Sequence, residues 1–156
     1  GAGCLRARPD ADPVRRRGPG RPQLGLVVAR GELCYVVLNL YPYNSGHLMV
    51  LPYRHVSDYT DLDAAETVEL AQMTQRAVRV SRAVYTPAGF NLGMNQGEVA
   101  GAGIAAHLHQ HVVPRWLGDA NFLPVVGQTK ALPELLGDTR RRLAEAWVTA
   151  GGGEEN

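Results

Sequence analysis

Between Leu24 and Pro52 short apolar bursts alternate with turn-forming residues. Leu24–Ala29 and Leu33–Leu40 are rich in Val, Leu and Tyr, and the Arg-Gly-Glu between them suits a hairpin connection. "YPYNSGH" breaks the pattern with Pro42, Asn44 and Gly46, and "HLMVLP" resumes it as a third strand that stops at Pro52. Three strands this close together predict an antiparallel meander. From Asp63 the period changes. Leu70, Met73, Ala77, Val80 and Val84 recur at steps of three and four, and Asp63 followed three residues later by Glu66 resembles a capping box. A helix over 63–84 follows, its apolar stripe on the sheet, ended by Pro87 and Gly89. "FNLGM" reads as a fourth strand, and after the glycine-rich "NQGEVAGAGIAA" the stretch Ala105–Trp116 makes a fifth, closed by Pro114. A last helix begins at Pro133, with Leu136, Leu143 and Trp147 on one side. The pattern predicts an α+β domain: a curved antiparallel sheet of about five strands with one long packed helix and a C-terminal helix.

Residues 1–23 lie outside this pattern. Six arginines stand there among prolines and glycines with hardly any large apolar side chain, which predicts a flexible basic tail. Residues 24–150 form the expected domain, and 151–156 a disordered C-terminus. At 156 residues the chain suits a single domain. Sixteen Lys and Arg against fifteen Asp and Glu leave a net charge of +1, which argues against bulk nucleic-acid binding and against attraction to a membrane surface. No stretch approaches the roughly 18 apolar residues of a membrane span, and Cys4 and Cys34 make no disulfide framework, so a reducing cytoplasm is the expected setting.

The candidate chemistry lies in "AAHLHQHVVPRW". Of five histidines in the chain, His107, His109 and His111 stand at every second position, so in an extended strand their imidazoles line one face. Burying three imidazoles side by side leaves up to six ring nitrogens in need of partners, a cost that a structural core avoids. Two functional readings remain. His-x-His on a strand binds zinc when a third ligand completes the set. Alternatively, Gly97, Gly101 and Gly103 just upstream permit tight turns whose amides point at an anion, which suits phosphate better than metal. An imidazole whose one nitrogen donates to a fixed acceptor presents the other as a lone pair that can attack phosphorus, while neighbouring histidines donate to the phosphoryl oxygens. Arg54, Arg115 and Lys130 could attract a polyphosphate, Trp116 could lie against a base, and His55 and Cys34 are expected to be structural.

"HLHQHVV" resembles the motif of the histidine-triad (HIT) family of nucleotide hydrolases and transferases, with Gln110 where an apolar residue is usual. "NLYPYNSGHLMVLP", "FNLGMNQG" and "AGAGI" accompany it in the expected order. The resemblance runs from Leu24 to about Trp147 and is greatest to the actinobacterial diadenosine tetraphosphate phosphorylase branch. It implies the histidine-triad fold, a homodimer, and cleavage of a dinucleoside polyphosphate through a nucleotidyl group on His109. It further implies that the carbonyl of His107 orients that ring, that His111 contacts phosphate, and that His47 hydrogen-bonds near the triad. Asn95 matches a phosphate-contacting position, Asn39 one that meets the ribose hydroxyls, and Gly103 and Ile104 offer backbone amides. "GAGIAA" lacks the hydroxyl that many relatives carry there, so the acceptor, water or orthophosphate, stays open. No protein-bound cofactor or metal is expected; Mg2+ can accompany the polyphosphate. The alternatives are a nucleoside phosphoramidate hydrolase, a nucleotide-binding sensor with little turnover, and a zinc hydrolase.

Overall fold

The computed structural model describes residues 25–102, 107–119 and 132–151, with side chains from 136 onward in the last segment. The tail at 1–23, Gly103, Ile104 and Lys130 lie outside these residues. Five strands, β1 (Val27–Arg30), β2 (Cys34–Leu38), β3 (Leu48–Pro52), β4 (Gly89–Gly93) and β5 (Gln110–Arg115), form one antiparallel sheet in the order β1-β2-β3-β5-β4. The helices are α1 (Ala64–Tyr85) and α2 (Leu132–Gly151), so Gly151, expected in the C-terminal tail, is helical, and 152–156 lie outside the described residues.

β2 is buried along its whole length, and β3 nearly so, because both lie inside the sheet under α1. Leu70, Met73, Ala77 and Val80 of α1 pack on Val36, Leu38, Val50 and Val112, and Leu136, Leu143 and Trp147 of α2 complete this core. Each large apolar side chain so buried stabilises the fold by about 1.5–3 kcal/mol. The β1–β2 hairpin is tied to α1 by Glu69, whose carboxylate accepts from the N–H groups of Glu32, Leu33 and Cys34. Burial beside Glu69 and Glu66 pushes the Cys34 thiol up to about 12, so it stays protonated as a core residue.

Two prolines shape the pairing around β5. Pro52 ends β3, as expected, and the ladder from β3 to β5 covers only Leu48–Val50 against Val112–Gln110. Pro114, by contrast, does not close β5 but sits inside it, opposite Phe90. The Arg115 carbonyl accepts from Ala88 on the β4 side, so the nitrogen of Pro114 faces the other way, beyond the start of β3, where no ladder bond is needed. The Pro114 carbonyl on that side accepts from Asn44 Nδ2 at 2.9 Å.

Asp63 and Glu66 form a reciprocal capping box at the start of α1, and Thr86 ends the helix in the left-handed region before Pro87. Asp63→Ala should therefore cost about 1 kcal/mol, a fall in Tm of roughly 3–5 °C by thermal denaturation, with unchanged helix content at 20 °C.

Candidate active site

Strand β5 begins only at Gln110, so His111 alone of the triad is a strand residue and the three imidazoles do not line one strand face. The cause is Pro52. Its carbonyl accepts from Nε2 of His107 at 2.6 Å, and the next residue pairs beyond the end of β3, where Leu108 N–H donates to the Val56 carbonyl. The His107 ring is drawn towards the end of β3, where its Nδ1 lies 3.1 Å from Nδ1 of His55.

The remaining contacts assign every tautomer from its partners. His109 Nδ1 lies 2.9 Å from the main-chain oxygen of His107; a carbonyl only accepts, so Nδ1 carries the proton and Nε2 the lone pair. At the other end the main-chain N–H of Tyr43 donates to His47 Nδ1 at 3.1 Å, so the His47 proton is on Nε2. It is donated to His111 Nδ1 at 2.8 Å, and His111 in turn carries its proton on Nε2. The His109 and His111 rings meet edge to face, 4.6 Å between centroids. One ring thus offers a lone pair and its neighbour an N–H.

His47 is fully buried. Burial first, then the neighbouring His111 and His109, pushes its pKa down to about 3, so it remains a neutral link. Burial also lowers the pKa of His111, with His109 adding to the effect, and that of His107, against the pull of the Pro52 carbonyl. Asn39, at the end of β2, accepts from Tyr41 N–H through Oδ1, and its Nδ2 is 3.4 Å from His47 Nδ1. Asn95 follows β4 and lines a cavity together with His111.

The glycine loop differs from its expected form. Gly97 and Gly101 do take positive φ, 83° and 92°. The amides of Ala100 and Ala102 turn back to the Gly97 carbonyl, and that of Gly101 to Glu98, so these three are committed within the loop and are not free for an anion. The arginines are also engaged. Arg54 pairs with buried Glu66 at 2.6 Å, and Arg115 holds Asp119 through two nitrogens at 2.9 and 2.8 Å. Trp116 lies edge-on to Tyr85.

Three contributors escaped the sequence reading. His55, expected to be structural, touches His107. Asn44 and Asp119 form a latch: Asn44 Nδ2 reaches both the Pro114 carbonyl and Asp119 Oδ2, while the Asn44 carbonyl accepts from His47 N–H. The pull of Arg115 holds Asp119 far below the usual carboxylate range. The spacing of Arg115, Trp116 and Asp119 was the available signal; the Asn44 contact, 75 residues away, had none. For metal, His55 and His107 offer two close nitrogens where zinc sites use three or four protein ligands, and no group of three such side chains occurs among the described residues.

An antiparallel five-stranded sheet with two helices on it and a histidine relay at its centre defines a histidine-triad domain. A family model for the HIT domain matches residues 23–116, and the chain belongs to the HIT family. It is 59% identical over 131 residues to an AP-4-A phosphorylase of Mycobacterium tuberculosis, covering 81% of this chain and 67% of that protein. It is 31% identical over 93 residues to the asymmetrical bis(5'-nucleosyl)-tetraphosphatase of Schizosaccharomyces pombe, covering 60% and 50%. Among solved structures, a zinc-bound histidine triad family protein from Mycobacterium smegmatis superposes with a TM-score of 0.68 at 27% identity, covering 86% of this chain and 90% of that one.

Because His47 is held neutral in the fold and titrates at its ordinary value when unfolded, the unfolded state gains protons first as pH falls. Stability present above about pH 6.5 should decline towards pH 3, by up to about 1.4 kcal/mol per pH unit. His47→Gln should flatten this acid limb in a series of melting curves between pH 7 and 4; an unchanged slope would show that His47 does not carry it.

Proposed function

We propose that the protein cleaves dinucleoside polyphosphates, diadenosine tetraphosphate foremost, through a nucleotidyl group on His109 that orthophosphate or water resolves. The observation that carries this reading is the hydrogen bond from His109 Nδ1 to the His107 carbonyl, which leaves Nε2 as a fixed lone pair beside the Nε2–H of His111. The relationship to an AP-4-A phosphorylase supports the substrate and favours orthophosphate as acceptor.

In the first step Nε2 of His109 attacks the α-phosphorus, a P–N bond forms, and the P–O bond to the leaving nucleoside polyphosphate breaks. His111 donates its Nε2–H to a phosphoryl oxygen as charge develops, and His47, neutral and buried, keeps His111 in that tautomer. Orthophosphate then attacks the phosphorus from the vacated side, the P–N bond breaks, and ADP leaves with His109 restored. With water in its place the product is AMP. Mg2+, carried by the polyphosphate, offsets its charge. The site belongs in this reading to a homodimer.

Anion-exchange analysis after incubation with diadenosine tetraphosphate, with and without orthophosphate, tests this. ADP and ATP only with orthophosphate are expected; AMP and ATP in both cases would assign water as acceptor. His109→Asn should lower turnover by at least about 1,000-fold while retaining nucleotide binding by calorimetry. No cleavage by the wild type, with turnover of adenosine 5'-phosphoramidate instead, would overturn the assignment.

A further inference from the structure

On the face of β5 that carries His111, the strand continues through Val113 to Arg115, and there the surface opens into a cavity of about 610 Å3. That volume falls within the range of about 300–1,000 Å3 for small-molecule pockets. His111 and Asn95 stand at one end and Arg115 with Asp119 at the other, a run along β5 of about 13 Å. His109 is not among the lining residues; His111 separates it from the cavity.

The lining indicates what the cavity takes. The Arg115 charge is already matched by Asp119, so little positive charge is left for phosphate. What remains is an exposed aromatic ring, Tyr43, together with apolar Met94 and Val113 and the side-chain amide of Asn91. Arg115 donates to Asn91 Oδ1 at 2.6 Å, which leaves Asn91 Nδ2 without a partner among the described residues. A flat aromatic face, an apolar floor and an oriented neutral amide suit a nucleoside. Attack by His109 also requires the leaving oxygen to lie in line on the far side of the phosphorus.

Resting on the dinucleotide-cleaving reading above, we infer that this cavity is the subsite for the nucleoside of the leaving half, whose polyphosphate passes between His111 and Asn95. The site then distinguishes a dinucleotide from a mononucleoside polyphosphate with the same reacting phosphorus.

Gly93 allows the test. A Cβ added there meets nothing within 4 Å, so Gly93→Leu can start a side chain from this lining position, while Asn91→Ala removes the amide. Steady-state kinetics of the full chain on diadenosine tetraphosphate and on adenosine 5'-tetraphosphate compare substrates that differ in the second nucleoside. The wild type should prefer the dinucleotide by about tenfold or more in kcat/KM. Both variants should lose that preference through a higher KM for the dinucleotide, with turnover of adenosine 5'-tetraphosphate within about twofold of wild type. Wild-type cleavage of both compounds with no preference, or a preference that both variants retain, would overturn the subsite and leave the function standing. If the wild type cleaves neither compound, the underlying reading falls and the subsite with it.

Discussion

A neutral imidazole has two ring nitrogens and one proton, and in this protein the main chain decides which nitrogen holds it. Three backbone groups do so: the Pro52 carbonyl for His107, the His107 carbonyl for His109 and the Tyr43 N–H for His47. A peptide group cannot change its role as donor or acceptor, so each assignment holds as firmly as the backbone itself. His111 inherits its tautomer from His47. The result is a lone pair on one ring and an N–H on the next, with no side-chain carboxylate needed to orient either ring.

That arrangement is as rigid as the segments bearing the three groups. Pro52 ends a buried strand, and Tyr43 lies in a loop that the Asn44–Asp119–Arg115 latch ties to the end of β5. Gly46 in the same loop takes a φ of 75°, and a Cβ there would come within 3.0 Å of the Tyr85 ring. The loop thus approaches a helix side chain more closely than any residue but glycine permits. Burial then sets the charge state. His47 sits where protonation would place a cation in the core beside two other imidazoles, and it stays neutral for that reason.

What could be read from the sequence was local. The start of α1 was legible because Asp63 and Glu66 cap each other within one turn, and its stripe from Leu70 to Val84 matches the buried face. The identity of the histidines was legible because their alternation has no cheap structural use. Their disposition was not. The expected shared face fails because a carbonyl on β3 captures His107, a contact across 55 residues. Pro114 was expected to end its strand because a sequence does not reveal which side of a strand lacks a partner. Arg54 and Arg115 looked available for phosphate, yet each has a carboxylate that only the fold brings into reach or orients: Glu66 from α1, and Asp119 held in place by Asn44.

The commitment of those arginines bears on how a phosphate would be handled. A site with free guanidinium groups grips the ground state of a polyanion as strongly as its transition state, which tightens binding without speeding the reaction. Here the ring beside the one that bears the lone pair is the half-buried His111, which presents a neutral N–H. Such donors gain most when charge accumulates on the oxygens they face, and they need no reorganisation at that moment because their tautomers are already set. On the proposed reading, occupying Arg54 and Arg115 in the scaffold and leaving phosphate to neutral imidazoles would shift interaction from the bound substrate to the reacting phosphorus.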